Sequence, residues 1–458
     1  MGGGLMQLVA YGAQDIYLTG NPQITFFKVV YRRHTNFAVE SIEQTFNGAP
    51  DFGKRVSATI SRNGDLVQQM YLEVNLPSVN YTRSNSDLYW TYGVGNAMIK
   101  TAEIEIGGQL IDRHYGEWMD IWTELSTPEG KQRGYDDMVG NWYYSNDSGG
   151  QETYARVDYS YKLYIPLQFW FNRNPGLALP LIALQYHEVK LNLDIRNETE
   201  LYNVDNGLIP ITDFSMTQRP TIRLYVDYVY LDTDERRRFA QVSHEYLIEQ
   251  VQFTGDETVS GNTTSKNVTL NFNHPCKELI WVHVSSRHST AGNQSTGNRW
   301  LNFAPYYNSY APECDSFGTA KLQLNGHDRF SEREASYFRK VQNYEHHTRI
   351  PRTLDYIGWN NNYVGPSLYQ YIYTYSFAIS PEEHQPSGTC NFSRIDNAVL
   401  QITYPYTTPN NFNDTLLTNP TIDATLEDAS NPLNLKVFAV NYNVLRIMSG
   451  MGGLAYSN

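Results

Sequence analysis

The sequence predicts an all-β protein made of two similar antiparallel domains in one chain. Three observations predict it: apolar and polar residues alternate in several segments, aromatic residues are frequent, and motifs recur about 210 residues apart. Of the 458 residues, 36 are Tyr, 19 are Phe and 8 are Trp, all of which favour strands. A helical bundle, a coiled coil and a collagen-like chain are excluded, because the composition fits none of them.

Strict alternation of apolar and polar residues identifies the clearest strands. A period of two buries one side of a strand and leaves the other on the surface, as in antiparallel sheets. The alternating segments are 103–106, 189–196, 222–230 and 322–325, and a strand pattern also begins near 24–31. Clusters of Gly, Asn, Pro and Ser separate them, which is typical of a sandwich or barrel. Three polar stretches are predicted to be long loops: 126–161, 285–317 and 407–432.

An internal repeat predicts the duplication. Three short motifs occur twice in the same order: residues 105–113 with 323–329, residues 42–46 with 248–253, and the turn before the strand at 189–195 with the turn before 398–404. Each match alone is weak. Three matches at one spacing are best explained by two β domains of about 200 residues each.

A short helix is predicted between the two domains. Asp232 is followed three residues later by Glu235, which is the spacing of a capping box. Arginines at 236–238 follow toward the C-terminal end of the helix, where positive side chains interact favourably with the helix dipole. The arginine triplet could instead form a phosphate-binding patch, but the neighbouring acids favour a capped surface or interface helix.

The charge and the motifs argue against nucleic-acid packaging and enzyme chemistry. The formal net charge is −13, whereas surfaces that bind a duplex are usually basic. His346-His347 is an adjacent pair, but the sequence has no His-x-His, no nucleophile elbow and no phosphate-binding loop. We therefore predict no catalytic, cofactor-binding or metal-binding residues, and no enzyme activity. Cys276, Cys314 and Cys390 are predicted to be reduced thiols without an intrachain disulfide.

Several long motifs carry a resemblance to a known family. The chain is similar to the major capsid proteins of nucleocytoplasmic large DNA viruses, with the best likeness to the algal-virus, phycodnavirus-like branch. The motifs that carry it are residues 10–42 (AYGAQDIYLTGNPQITFFKVVYRRHTNFAVESI), 177–191, 244–255, 386–398 and 441–458. They run from the first residues to the last, so the resemblance covers the whole chain.

This resemblance implies two consecutive eight-stranded antiparallel jelly rolls with a short linking helix and long loop insertions. The implied domains are an N-terminal arm at 1–24, a first jelly roll at 25–231, the linking helix at 232–243 and a second jelly roll at 244–458. It also implies a homotrimer that forms a pseudo-hexagonal capsomer of an icosahedral shell, in a virion assembled in the host cytoplasm. Its partners would be neighbouring capsomers, minor capsid proteins and, through the arm, an internal membrane, with no direct contact to nucleic acid.

Two other classes of protein stay open on the residues alone. A tandem β-sandwich lectin would explain the loops rich in Tyr and Asn, but it would not need the long N-terminal motif. A duplicated β-sandwich enzyme is disfavoured, because the search for metal and nucleophile motifs found none. A stable trimer in solution would support the capsid interpretation, and a monomer that binds glycans would support the lectin.

Overall fold

The computed structural model describes most of the chain. The described residues are 34–79, 88–141, 159–204, 218–260, 263–286, 288–291, 297–303, 315–351, 370–404 and 432–456, with residues 3–10, 13–14, 21, 25, 27–29, 31 and 157. The chain divides into two compact units, residues 1–37 and residues 38–458. The first unit contains helix α1 (Gly3–Val9), which the sequence did not predict. The strand expected near 24–31 is wrong at the described positions there, and the first strand begins at Phe37.

The first barrel is a jelly roll of two antiparallel sheets. Its strands are β1 (Phe37–Gln44), β2 (Phe46–Asn47), β3 (Arg55–Thr59), β4 (Leu66–Leu76), β5 (Leu88–Trp90), β6 (Ile99–Ile106), β7 (Gln109–Tyr115), β8 (Tyr161–Pro166), β9 (Leu179–Pro180), β10 (Val189–Ile195), β11 (Tyr202–Val204) and β12 (Thr221–Leu231). One main sheet has the order β1-β12-β4-β8, with β9 also paired to β4, and the other has the order β3-β10-β6-β7, with β2 beside β3. Strands β5 and β11 form a separate two-stranded sheet. The alternation in β10 is confirmed, since every second side chain of this strand is buried.

The second barrel repeats the strand orders of the two main sheets. Its strands are β13 (His244–Val259), β14 (Ser265–Thr269), β15 (Pro275–Ser285), β16 (Thr319–Leu324), β17 (His327–Asp328), β18 (Arg333–Glu334), β19 (Tyr373–Ser376), β20 (Cys390–Asn391), β21 (Ala398–Thr403), β22 (Leu433–Met448) and β23 (Met451–Leu454). Its sheets have the orders β13-β22-β15-β19 and β14-β21-β16-β17. The predicted double jelly roll is therefore confirmed, while the predicted domain limits stay a prediction.

Matching tight turns explain why the repeat was visible in the sequence. Gly107 and Gly108 join β6 to β7 with φ of 58° and 84°, and Asn325 and Gly326 join β16 to β17 with φ of 50° and 81°. Two consecutive positive φ angles define the two-residue hairpin turn that favours Asn and Gly. The first motif pair thus marks the same hairpin in both barrels, which confirms the predicted duplication.

The predicted linking helix is present. The helices of the second unit are α2 (Val94–Met98), α3 (Gly116–Ser126), α4 (Glu129–Val139), α5 (Trp170–Arg173), α6 (Thr233–Gln241) and α7 (Gln342–His346), the last preceded by a π-helical turn (Tyr337–Val341). The linking helix is α6, and the side chain of Asp232 caps it by accepting from the N–H of Thr233 at 2.7 Å. Arg236 and Arg238 lie 3.0 Å from Asp65 and 3.4 Å from Glu235, so the arginines form ion pairs.

The prediction that residues 126–161 form a loop is wrong in part, because α4 lies within them. Most residues of this helix are polar and lie on the surface, so its composition resembles that of a loop. The predicted loop at 285–317 agrees with the structure at the described positions 286, 288–291, 297–303 and 315–317, which contain no helix or strand. The predicted loop at 407–432 lies outside the described residues except for Pro432.

Candidate functional site: the seam between the two barrels

An apolar seam joins the two barrels. Helix α3 directly follows strand β7 of the first barrel. Four of its side chains pack on the outer face of the second-barrel sheet β13-β22-β15-β19. The four are Trp118, Ile121, Trp122 and Leu125, and they are at most 3% exposed. Their spacing of three, four and seven residues forms one helix face. On the second barrel they pack with Val251, Ile280, Val282, Val284, Phe303, Ile372, Phe438 and Val440.

Aromatic rings and hydrogen bonds between side chains and the backbone fix the seam. The ring of Trp118 stacks on Trp122 at 5.7 Å and lies 5.4 Å from the ring of Phe438. The side chain of Gln250 donates to the carbonyl of Ile111, and Asp112 accepts from the N–H of Val251 at 3.1 Å. Because strand β13 is hydrogen-bonded to the residues of strand β7, the barrels are held in one orientation as well as in contact.

A buried ion cluster lies beside the apolar seam. The carboxylate of Glu249 is 2.9 Å from Arg173 of the first barrel and 2.8 Å from Lys277 of the second. Burial alone would raise the pKa of Glu249, but the charge of Arg173 and hydrogen bonds from His384 and Lys277 outweigh it and lower the pKa to about 2. The cluster thus joins the barrels through a carboxylate that stays ionised throughout the physiological range.

A second cluster centres on His347, which is buried between two carboxylates. Its Nε2 lies 3.1 Å from Glu278 and its Nδ1 lies 3.0 Å from Glu382. Burial alone would lower the pKa of His347, but the charges and hydrogen bonds of the two carboxylates raise it to about 9. The imidazole is therefore a cation at neutral pH. Two residues on, Arg349 donates to Glu124 of helix α3, which ties this cluster to the first barrel.

The C-terminal hairpin returns from the second barrel to the first. Leu445 and Ile447 of β22 belong to the apolar core of the first barrel. The carbonyl of Gly450 accepts from the N–H of Tyr186 at 2.9 Å, and Gln109 accepts from the N–H of Leu454 at 3.2 Å. This hairpin, β22 with β23, therefore completes the core of a barrel that begins 400 residues earlier in the sequence, near Phe37.

The sequence predicted no site residues, and the seam is built from residues that it did not single out. His346 and His347 do not act together, because the Nδ1 of His346 lies 2.9 Å from the carbonyl of Ile379. Within the described residues, no cluster of His, Cys, Asp and Glu could hold a metal ion. Cys276 and Cys390 are free thiols, and Cys314 lies outside the described residues. Nor does any described helix have the length and apolarity needed to cross a membrane.

The fold belongs to a known class, that of the double jelly-roll viral capsid proteins. A quasi-atomic structure of the PBCV-1 virus capsid matches with a TM-score of 0.73 and 39% identity, over 95% of this chain and 100% of that chain. The Faustovirus major capsid protein matches with a TM-score of 0.69 over 96% of this chain and 94% of that chain. At 14% identity this second match shows the fold alone.

The sequence comparisons identify the family. Residues 25–232 match the family described as major capsid protein N-terminus, and residues 235–453 match the family of large eukaryotic DNA virus major capsid proteins. The major capsid proteins of Pyramimonas orientalis virus and Paramecium bursaria Chlorella virus 1 are 50% and 44% identical, over 100% of this chain and of each relative. The chain therefore belongs to the major capsid proteins of large eukaryotic DNA viruses, in the algal-virus branch.

Membership of this family settles the class of function. The protein is a structural component that forms the capsid of a large DNA virus, and its place is the virion. Building a shell requires the chain to associate with itself. The resemblance found in the motifs is thereby confirmed, and it decides in favour of the capsid interpretation over the lectin.

Proposed function

We propose that three copies of the chain form a homotrimeric, pseudo-hexagonal capsomer and that these capsomers tile the icosahedral shell. The observation that carries this proposal is the identical strand order of two barrels held together by one buried seam. Three such chains would present six similar barrels, so the trimer would have an outline with nearly sixfold symmetry. Each barrel would keep its own loops for contacts with neighbouring capsomers.

Light scattering of the purified protein tests the trimer. We expect a mass near three times 52.6 kDa at micromolar concentration, because obligate interfaces typically bury about 2,000 Å² or more and leave the monomer poorly stable. A species of 52.6 kDa that melts cooperatively under the same conditions would count against an obligate trimer.

The proposal extends to the domains and partners of the chain. Residues 1–24 act as an arm outside the first jelly roll (25–231), which the helix at 232–243 links to the second (244–458). The arm contacts minor capsid proteins and an internal membrane, and assembly takes place in the host cytoplasm. The net charge of −13 supports the absence of direct nucleic-acid contact. The structural role of the family, together with the lack of a catalytic motif, supports the absence of enzyme activity.

Deleting residues 1–19 should leave the trimer and its melting temperature nearly unchanged, but weaken the attachment of capsomers to the inner layer. Met6, Leu8 and Val9 are at least 69% exposed, which supports an arm that is free for other partners. Light scattering and thermal melts compare the truncated and full-length proteins. If the truncated protein loses the trimer, or melts about 10 °C or more lower, then the arm is part of the folded core.

A further inference from the structure

The second barrel has a counterpart of helix α3, and three of the four residues on its equivalent face are exposed, while the fourth packs against the core of its own barrel. Helical residues 335–346 follow β18 as α3 follows β7. Each helix places one fully buried residue in the core of its own barrel, Met119 in the first and Phe338 in the second. The four seam residues of α3 correspond, with a constant offset of 219, to Tyr337, Lys340, Val341 and Tyr344. Val341 is 41% exposed and Tyr344 is 76% exposed.

The first barrel, in turn, has a counterpart of the surface that α3 covers. Tyr71 and Tyr225 are cross-strand partners on β4 and β12, as Ile280 and Phe438 are on β15 and β22. Ile280 and Phe438 are buried in the seam with α3. Tyr71 and Tyr225 are only half-buried, and their rings stack at 5.3 Å on the outer face of the first-barrel sheet.

The chemistry of this tyrosine face suits the exposed helix. The ring of Tyr164 lies 6.2 Å from Tyr71 and extends the aromatic surface. Glu43 lies at the edge of the face, 3.8 Å from Arg223. Lys162 lies at another edge, 3.1 Å from Glu73, so the rim of the face carries both signs of charge. The helix contributes the exposed side chains of Val341 and Tyr344. Aromatic residues inside a charged rim are typical of protein interfaces.

We propose that helical residues 335–346 of one copy dock on the tyrosine face (Tyr71, Tyr164 and Tyr225) of the next copy. This contact between two chains would repeat the contact that α3 makes with the second barrel within one chain. This inference rests on the proposed trimer and names the two surfaces that form it. The contact is heterologous, because the helix of one chain meets the sheet of another. Such contacts close into a ring when the rotation at each step fits the number of copies.

Photo-cross-linking tests the docking in the full-length protein. Tyr344 is replaced by p-benzoyl-phenylalanine, which is aromatic and fits an exposed position. Irradiation should give a covalent dimer on a denaturing gel, with the cross-linked peptide in β4, β8 or β12. The same replacement of the buried Trp122 is the matched control. It should cross-link to β15 or β22 within one chain, because α3 already makes this contact.

A substitution gives an independent measure. Tyr344→Asp should raise the dissociation constant of the trimer at least about tenfold, since a buried interface tyrosine often contributes that much. Tyr456→Asp, at a site that is 63% exposed just after β23, should leave the constant unchanged. A trimer whose cross-links from position 344 map to residues 1–37 or to another surface overturns the docking but not the trimer. A wild-type monomer overturns both.

Discussion

Replacing His347 with Gln should destabilise the protein by about 3 to 5 kcal/mol at neutral pH, because it removes one partner of a buried ion cluster. The side chains of His347 and Glu278 are both 0% exposed, and Glu278 would lose the cation that lies 3.1 Å from it. Gln is similar to His in size and is also polar, so the loss of stability measures the contribution of the positive charge on the imidazole. Denaturant unfolding of variant and wild type measures it.

The same substitution should remove a pH dependence. The pKa of His347 is raised from 6.5 to about 9 in the folded protein. Its stabilising effect is therefore complete below pH 6.5 and is lost as the pH rises through 9. The difference between wild type and His347→Gln should shrink between pH 6.5 and pH 10. A difference that stays constant over this range would show that the imidazole is not a buried cation.

His346→Gln is the matched control, because it changes the neighbouring histidine to the same residue. His346 makes one hydrogen bond, 2.9 Å from the carbonyl of Ile379, and its side chain is 19% exposed. We expect a loss of about 1 kcal/mol or less. Equal losses in the two variants would contradict the special position of His347.

Trp122→Ala should cost about 3 to 5 kcal/mol, the usual range for a buried tryptophan. Its ring is 3% exposed, stacks on Trp118 at 5.7 Å and lies 4.8 Å from the guanidinium of Arg173. Since the lost contacts lie in the seam, the two barrels should also become less coupled. Calorimetry should then resolve two transitions where the wild type shows one.

Ile379→Ala is the control for this substitution. Ile379 is 75% exposed on the second barrel, so its truncation should change stability by about 0.5 kcal/mol or less. If Trp122→Ala melts in one transition at the temperature of this control, then α3 does not hold the barrels together.

The architecture could be predicted because its signals are local. Alternation marks β10 and β12, and a tight hairpin demands Gly or Asn at the positions 107, 108, 325 and 326. Helix α3 was missed, although its signal was present: Trp118, Ile121, Trp122 and Leu125 have the spacing of an apolar helix face. The aromatic residues of this segment favour strands by their intrinsic preference, and the tertiary context overrides that preference.

The ion clusters of the seam could not be predicted, because their members come together only in the fold. Lys277 and Glu278 are consecutive in β15, where a β-bulge interrupts the alternation, and a sequence offers no reason to bury either. Their partners are distant in the chain: Glu249 for Lys277, and His347 for Glu278. Alternation gives the face on which a side chain lies, but not which residue of another strand or loop meets it.

Because the C-terminal hairpin is synthesised last, the core of the first barrel can be completed only when the chain is almost finished. Leu184 and Ile106 line the position that Gly452 occupies, and Ile447 joins the same core. At 5 to 20 residues per second, the ribosome needs roughly 11 to 43 seconds to proceed from Leu231, the end of the first barrel, to Ile447. During that interval the first barrel is made but has an open apolar end. A chain cut short before β22 would keep this surface exposed and become a substrate for chaperones and proteases, so only complete chains would reach the shell.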